Sequence, residues 1–464
     1  MDTLPLSDIQ AFIIHTYRPC ALRTFVLKVQ DPQAARRFLG NLVSGDASAP
    51  QLATADQSPQ DHTFRINVGI THAGLEALEL PQASLEAFPC EFAKGVLDAA
   101  PRIGDTEESA PEHWQAPFAG PDVHIMLFLF ITDKKNTDQT IDTLSAQLRR
   151  LCIDSGACRE LSICDARSLP GDVAHFGYRD GFAQPVIEGG PPPVVSDILP
   201  KVPPGEFLLG YGDPTIDQVP VPDALCKNGS YAAFRILEQD CHGFESFLSD
   251  QAAQTGRPAE WIAAKLCGRW RSGAPLTLFP NADDPQHDDQ TRIKNYNSFD
   301  YIKTADFSPS EDYDDSRGNL CPIGSHIRRM NPRNAKVAGN SGLTHRIVRR
   351  GLPYGPAYDP ANPDDGKARG LMGLFIGASL KNQFEFLMKH WANDGGFAGI
   401  GQTRDPVLGA NNPADSKFVI PVAGEKPIVL RGFSRFVKTR GSAYCFLPSV
   451  TALRYLAELP PPPP

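Results

Sequence analysis

The chain has 464 residues, enough to bury a large core and to fold as two or three domains. Its 41% hydrophobic and 21% charged residues are those of a soluble globular protein and exclude a largely disordered one. A net charge of −9 argues against a nucleic-acid partner, which calls for a basic stripe.

The first half alternates strands and helices. Leu22–Val29 and Thr63–Ile70 are rich in β-branched and aromatic residues and read as strands. Thr71 stands where it could cap a helix. Val123–Thr132 is a continuous apolar strand, too short to cross a bilayer, so no membrane span is expected. Ile141, Leu144, Leu148 and Leu151 then recur at helical spacing. The opening Met1-Asp2-Thr3-Leu4-Pro5 shows no basic region before an apolar core. The ten cysteines form no CxxC pair, so reduced thiols in a cytoplasm are the default, with secretion left open if a leader has been removed.

In His175-Phe176-Gly177-Tyr178-Arg179-Asp180-Gly181, two glycines bracket a Tyr-Arg-Asp triplet. The backbone can turn tightly there and present the Asp180 carboxylate to a ligand; an ordinary Asp-Gly turn is the plainer reading. The proline-rich stretch 189–205 divides the chain into an N-terminal domain, 1–188, and a C-terminal domain, 206–464. Its Pro191-Pro192-Pro193 run should be extended and stiff.

The second half restarts with a strand over Ser230–Leu237 and helices around Phe244–Ala253 and Ala259–Arg269. Residues 281–315, with Asp283, Asp284, Asp288, Asp289, Glu311, Asp312, Asp314 and Asp315, read as a solvated surface loop. Cys321-Pro322-Ile323-Gly324-Ser325-His326-Ile327-Arg328-Arg329 follows, a histidine after a Pro/Gly turn and ahead of a basic cluster. Such a histidine can bind a metal, and nearby arginines such as Arg328 suit the carboxylates of a macrocycle. A satisfied histidine before a solvated basic strand is the alternative. Arg346–Gly355 and Gly370–Ala378 read as strands, and Leu380, Phe384, Leu387 and Trp391 mark one helix face. A frayed polyproline tail spans Pro460–Pro464.

Three stretches together resemble the dye-decolorizing peroxidases: Phe176-Gly177-Tyr178-Arg179-Asp180-Gly181, the Cys321–Arg329 run, and Ile347-Val348-Arg349-Arg350-Gly351-Leu352-Pro353-Tyr354-Gly355. Pro204–Tyr211, Asn228–Tyr231, Gly268–Pro275 and Arg440-Gly441-Ser442-Ala443-Tyr444 extend the resemblance over most of the chain, nearest the long bacterial and fungal branch. The resemblance implies an α+β fold of two ferredoxin-like domains with one haem b held mainly by the second. Hydrogen peroxide is the implied oxidant, and dyes, phenols and other bulky aromatics the reductants.

In that family His326 matches the iron ligand, Asp180 the acid–base residue and Arg349 the arginine beside it. Leu374 and Phe375 fall on the strand that lines the pocket, and Gly373 stands where the family usually carries a large residue, which leaves the packing of that strand open. Asp405, in an Asp-Pro turn, is the expected hydrogen-bond partner of His326. Trp391 and Tyr354 are candidate relays that pass electrons to dyes too bulky for the pocket. The rival reading is a protein that binds haem or releases its iron with little peroxidase turnover.

Overall fold

The computed structural model describes residues 3–46, 49–58, 62–181, 183–191, 198, 200–212, 221–337, 340–341 and 343–460. The β-branched and aromatic runs of the first half become β1 (Ala21–Val29), β2 (Phe64–Ile70) and β3 (Ile125–Ile131). All of β3 is buried, because β1 and β2 flank it and the core covers both its faces. A fourth strand, β4 (Cys158–Arg167), pairs with β1 at the sheet edge. Its Arg159, Glu160 and Asp165 interrupt any apolar alternation, so periodicity passes over it.

The second half supplies β5 (Ser230–Gln239), β6 (Val348–Tyr354), β7 (Gly370–Gly377) and β8 (Val437–Leu447). Across one eight-stranded sheet the order is β4-β1-β3-β2-β8-β5-β7-β6. Each half therefore runs fourth, first, third, second, the ferredoxin-like order. The halves meet through Ile70 opposite Phe446, and the edge strands β4 and β6 come into contact, so the sheet curls into a barrel.

Helices pack outside this sheet, and several of them are begun by a short polar side chain. Asp31 caps α1 (Pro32–Asn41) and Asp240 caps α2 (Cys241–Thr255), accepting the N–H of Ala34 and Gly243 at 2.7 and 2.8 Å. Thr71 does the same for Gly74 at 3.0 Å. Each such cap stabilises its helix by about 1 kcal/mol. Leu380, Phe384, Leu387 and Trp391 are all buried, as a shared face requires, but they lie on two successive π-helical stretches, Leu380–Glu385 and Leu387–Ala392.

The acidic segment is solvated at Asp288, Asp289, Glu311, Asp312 and Asp314, as its composition suggests, but not throughout. Asp284, Asp300 and Asp315 are fully buried. Asp284 accepts the Tyr296 hydroxyl at 2.9 Å, and Asp315 accepts the N–H groups of Leu320 and Cys321 at 2.8 and 3.0 Å. These bonds offset the cost of desolvating the carboxylates. Pro192 and Pro193 of the connection, Phe182 of the Asp180 loop and residues 461–464 of the tail lie outside the described residues. Among those described, no helix is long and apolar enough to cross a membrane. All ten cysteines are free thiols, and Cys90 alone is exposed.

Candidate active site

His326 opens α3 (His326–Met330), a short helix rather than a basic strand. Ser325 anchors the turn before it by donating its hydroxyl to the Lys265 carbonyl at 2.5 Å. The ring Nδ1 lies 2.8 Å from Asp405 Oδ2, a contact between residues 79 positions apart. A carboxylate only accepts, so Nδ1 is the donor, and in the neutral ring Nε2 keeps its lone pair. His326 lines a cavity of ≈ 380 Å³. Asp405 is fully buried, and its other oxygen accepts the N–H groups of Val407 and Leu408 at 2.9 and 2.8 Å. One carboxylate thus closes the Asp-Pro turn and orients the imidazole. Burial pushes the Asp405 acid up, but the adjacent His326 and the Arg329 guanidinium outweigh it and hold the carboxyl below its ordinary range.

The basic cluster after His326 divides by direction. Arg329 is fully buried and donates to the carbonyls of Trp391, Thr403 and Asp394 at 2.6, 2.6 and 2.9 Å. It staples α3 to the segment that carries Asp405. Burial brings its guanidinium down to about 10, which leaves it cationic at neutral pH. Arg328 corrects the sequence expectation, for it does not border the cavity. It pairs with Asp315 at 2.9 Å, donates to the Cys321 carbonyl and lies over the Tyr301 ring. Arg269, Arg333 and Arg346 border the cavity instead.

On another wall, Gly177 and Gly181 have φ of +83° and +88°, a left-handed backbone that a side chain would strain. Between them the Arg179 N–H is held by the Arg271 carbonyl at 2.9 Å and the Asp180 N–H by the Asp172 carbonyl at 3.1 Å. Asp180 is exposed, and its Oδ1 accepts the Gly181 N–H at 2.7 Å. Arg349, on β6, donates from its guanidinium to the Ala183 carbonyl at 2.8 Å and from its N–H to Gln184 Oε1 at 3.1 Å. These two bonds tie it to the chain just after Asp180. Arg350 donates to the Phe12 carbonyl at 2.7 Å and is buried, and it also borders the cavity. Asp180 and Arg349 line the same cavity as His326, and no direct hydrogen bond joins the two among the described residues.

On β7, Phe375 lies opposite Arg349 and Gly373 opposite Gly351. Strand alternation puts Leu371, Gly373 and Phe375 on one face. Leu374 also borders the cavity, although it belongs to the opposite face of the strand, opposite Phe234 and in the barrel core. Leu371 was missed, although its parity with Gly373 marks it. A Cβ at Gly373 would lie 3.4 Å from the Phe375 ring, so a larger residue there would compete with that ring for space.

Neither relay candidate borders the cavity. Trp391 is buried among Leu387, Phe397 and the rings of His345 and Phe386. The buried Tyr354 hydroxyl has no hydrogen-bond partner among the described residues.

A model of the DyP dimeric alpha+beta barrel domain matches residues 8–157. Over 97% of its length the chain is 31% identical to Peroxidase 2 of Mycetinis scorodonius, spanning 87% of that protein. Over 98% it is 30% identical to a dye-decolorizing peroxidase of Exidia glandulosa, again spanning 87%. The chain belongs to the dye-decolorizing peroxidases. A solved dye-decolorizing peroxidase in complex with 2,6-dimethoxyphenol matches 98% of this chain and 100% of its own with a TM-score of 0.78 at 26% identity. This dye-decolorizing peroxidase is accordingly a haem enzyme that reduces hydrogen peroxide and oxidises dyes and phenols. Its cavity fits the cofactor: an imidazole with Nε2 left to bind iron, apolar walls at Leu371 and Phe375, and bordering arginines for propionates.

Proposed function

We propose that the haem is haem b, which His326 Nε2 would hold, with Asp180 and Arg349 serving peroxide from another wall of the same cavity. The observation that carries this is the His326–Asp405 hydrogen bond, which leaves Nε2 to a cavity whose wall also holds a carboxylate and a guanidinium. Haem supplies the iron and the electrons that break the O–O bond, and afterwards the oxidising power that aromatic donors discharge. Asp180 takes a proton from one peroxide oxygen and returns it to the other, which leaves as water. Arg349 stabilises the negative charge growing on that departing oxygen and keeps its own proton throughout. The test is an optical spectrum of the purified protein before and after peroxide. A Soret band that shifts supports the peroxidase reading, and one that peroxide leaves unchanged supports mere haem storage.

Asp405 would make His326 Nε2 a stronger donor to the iron by accepting the Nδ1–H hydrogen bond. Asp405→Asn is expected to lower haem affinity by ~10–100-fold and to raise the haem reduction potential. Spectroelectrochemical titration checks this, and a potential equal to that of the parent removes the role.

Trp391 is the better placed of the two relays. Its carbonyl accepts from Arg329 on the His326 helix, and the Asp405 N–H donates to the next carbonyl, Ala392, at 2.7 Å. Outward, Phe386 touches Trp391 and the exposed His390 with ring centroids 5.6 and 4.9 Å away. Trp391→Phe should cut turnover of bulky dyes about tenfold, roughly 1.4 kcal/mol, while small phenols are oxidised as before. Equal losses for both donor classes would mark Trp391 as packing alone.

A further inference from the structure

Tyr444, on β8, takes no part in the site above, yet its surroundings are those of a redox residue. Its hydroxyl donates to Glu385 Oε1 at 3.0 Å, and both side chains are buried. Its ring lies 6.1 Å from that of Phe384, which lies 5.6 Å from the Phe375 ring on the cavity wall. A phenol gives up an electron readily only if its proton leaves as well, because the phenol radical cation is a strong acid. The buried hydroxyls of Tyr231, Tyr301 and Tyr354 have no acceptor among the described residues. Tyr444 has a carboxylate.

We propose that Tyr444 donates an electron to the oxidised haem across Phe384 and Phe375 and passes its phenolic proton to Glu385. The inference rests on the peroxidase reading, since hydrogen peroxide supplies the oxidising equivalent. In the step, the phenolic O–H bond breaks, one electron goes to the haem and one proton to Glu385 Oε1. A neutral tyrosyl radical and a carboxylic acid remain. An electron from an aromatic donor and the proton returned by Glu385 restore both groups. The phenylalanine rings are too hard to oxidise to hold the charge and act as the bridge. Burial pushes the Tyr444 phenol well above its ordinary range, so its proton stays until the electron leaves. Burial also pushes the Glu385 acid up, which makes its carboxylate the stronger base, with the Tyr444 hydrogen bond and Arg102 opposing. This exit runs from Phe375 on β7 to Tyr444 on β8 through Phe384 of the Leu380–Glu385 stretch, and does not pass through Trp391.

The test is electron paramagnetic resonance of the holoenzyme, freeze-quenched after peroxide with no reductant present. A tyrosyl signal is expected that Tyr444→Phe removes and Tyr296→Phe retains. Tyr296 is the matched control because it also donates to a buried carboxylate, Asp284. Glu385→Gln keeps an acceptor but cannot take the proton, and should lower radical yield by more than about tenfold. It should also abolish the carboxylic-acid band in the peroxide-minus-resting infrared difference spectrum. If the haem spectrum responds to peroxide but the parent gives no tyrosyl signal, or Tyr444→Phe keeps it, this inference alone is overturned. A haem spectrum that ignores peroxide overturns the peroxidase reading and this inference together.

Discussion

His326→Ala is expected to purify with little haem and to bind added hemin at least ~100-fold more weakly than the parent. The reason is geometric. Among the described residues bordering the cavity, His326 is the imidazole, and its Nδ1 is committed to Asp405. Removing the ring deletes the nitrogen that would hold the iron and leaves the buried Asp405 carboxylate facing the vacated volume. The remaining arginines can still attract propionates, so residual binding should be weak and salt-dependent. Added imidazole should restore part of the Soret band by filling the space the side chain left. A fully loaded His326→Ala protein would show that another residue holds the iron.

The second large effect is on peroxide cleavage. Asp180→Asn and Arg349→Leu should keep their haem, since neither touches α3 or Asp405, yet react with peroxide far more slowly. Loss of the acid–base group costs ~10²–10⁴-fold and loss of the charge stabiliser ~10²–10³-fold. Both act on one bond-breaking event, so the double variant should be scarcely slower than the worse single one. Stopped-flow absorbance at limiting peroxide measures all three rates. An Asp180→Asn rate matching the parent would dismiss the carboxylate as the proton carrier. Arg349→Leu has a further consequence, for it also cuts a bond to the Ala183 carbonyl. Arg349→Lys separates these effects, because the ammonium keeps the charge without the planar fork.

Much of this site can be seen in local chemistry. Glycines at 177 and 181 mark a backbone that must turn left-handed, and both do. A histidine after a Pro/Gly turn, and an arginine after an apolar pair on a strand, stand out with no fold in hand. The strands β1, β2, β3, β5 and β7 are legible because apolar runs tell where water is excluded. In contrast, β8 begins Val437-Lys438-Thr439-Arg440, and it holds its place by pairing with β5 along its length and through side-chain partners from the first half. Thr439 donates its hydroxyl to Asp105 at 2.6 Å, so its polarity hides a central strand.

Sequence by itself determined the kinds of residue available, the turns that glycine permits and the strands that apolar runs enforce, because these depend on neighbours a few positions away. Tertiary structure decided which arginines serve the cavity and which are buried staples, that Asp315 and not a cofactor takes Arg328, and that Leu371 and not Leu374 shares a face with Phe375. It also brought Asp405 to His326 and Glu385 to Tyr444. A long polar side chain points toward whichever acceptors folding brings within reach, and those acceptors lie dozens of residues away along the chain.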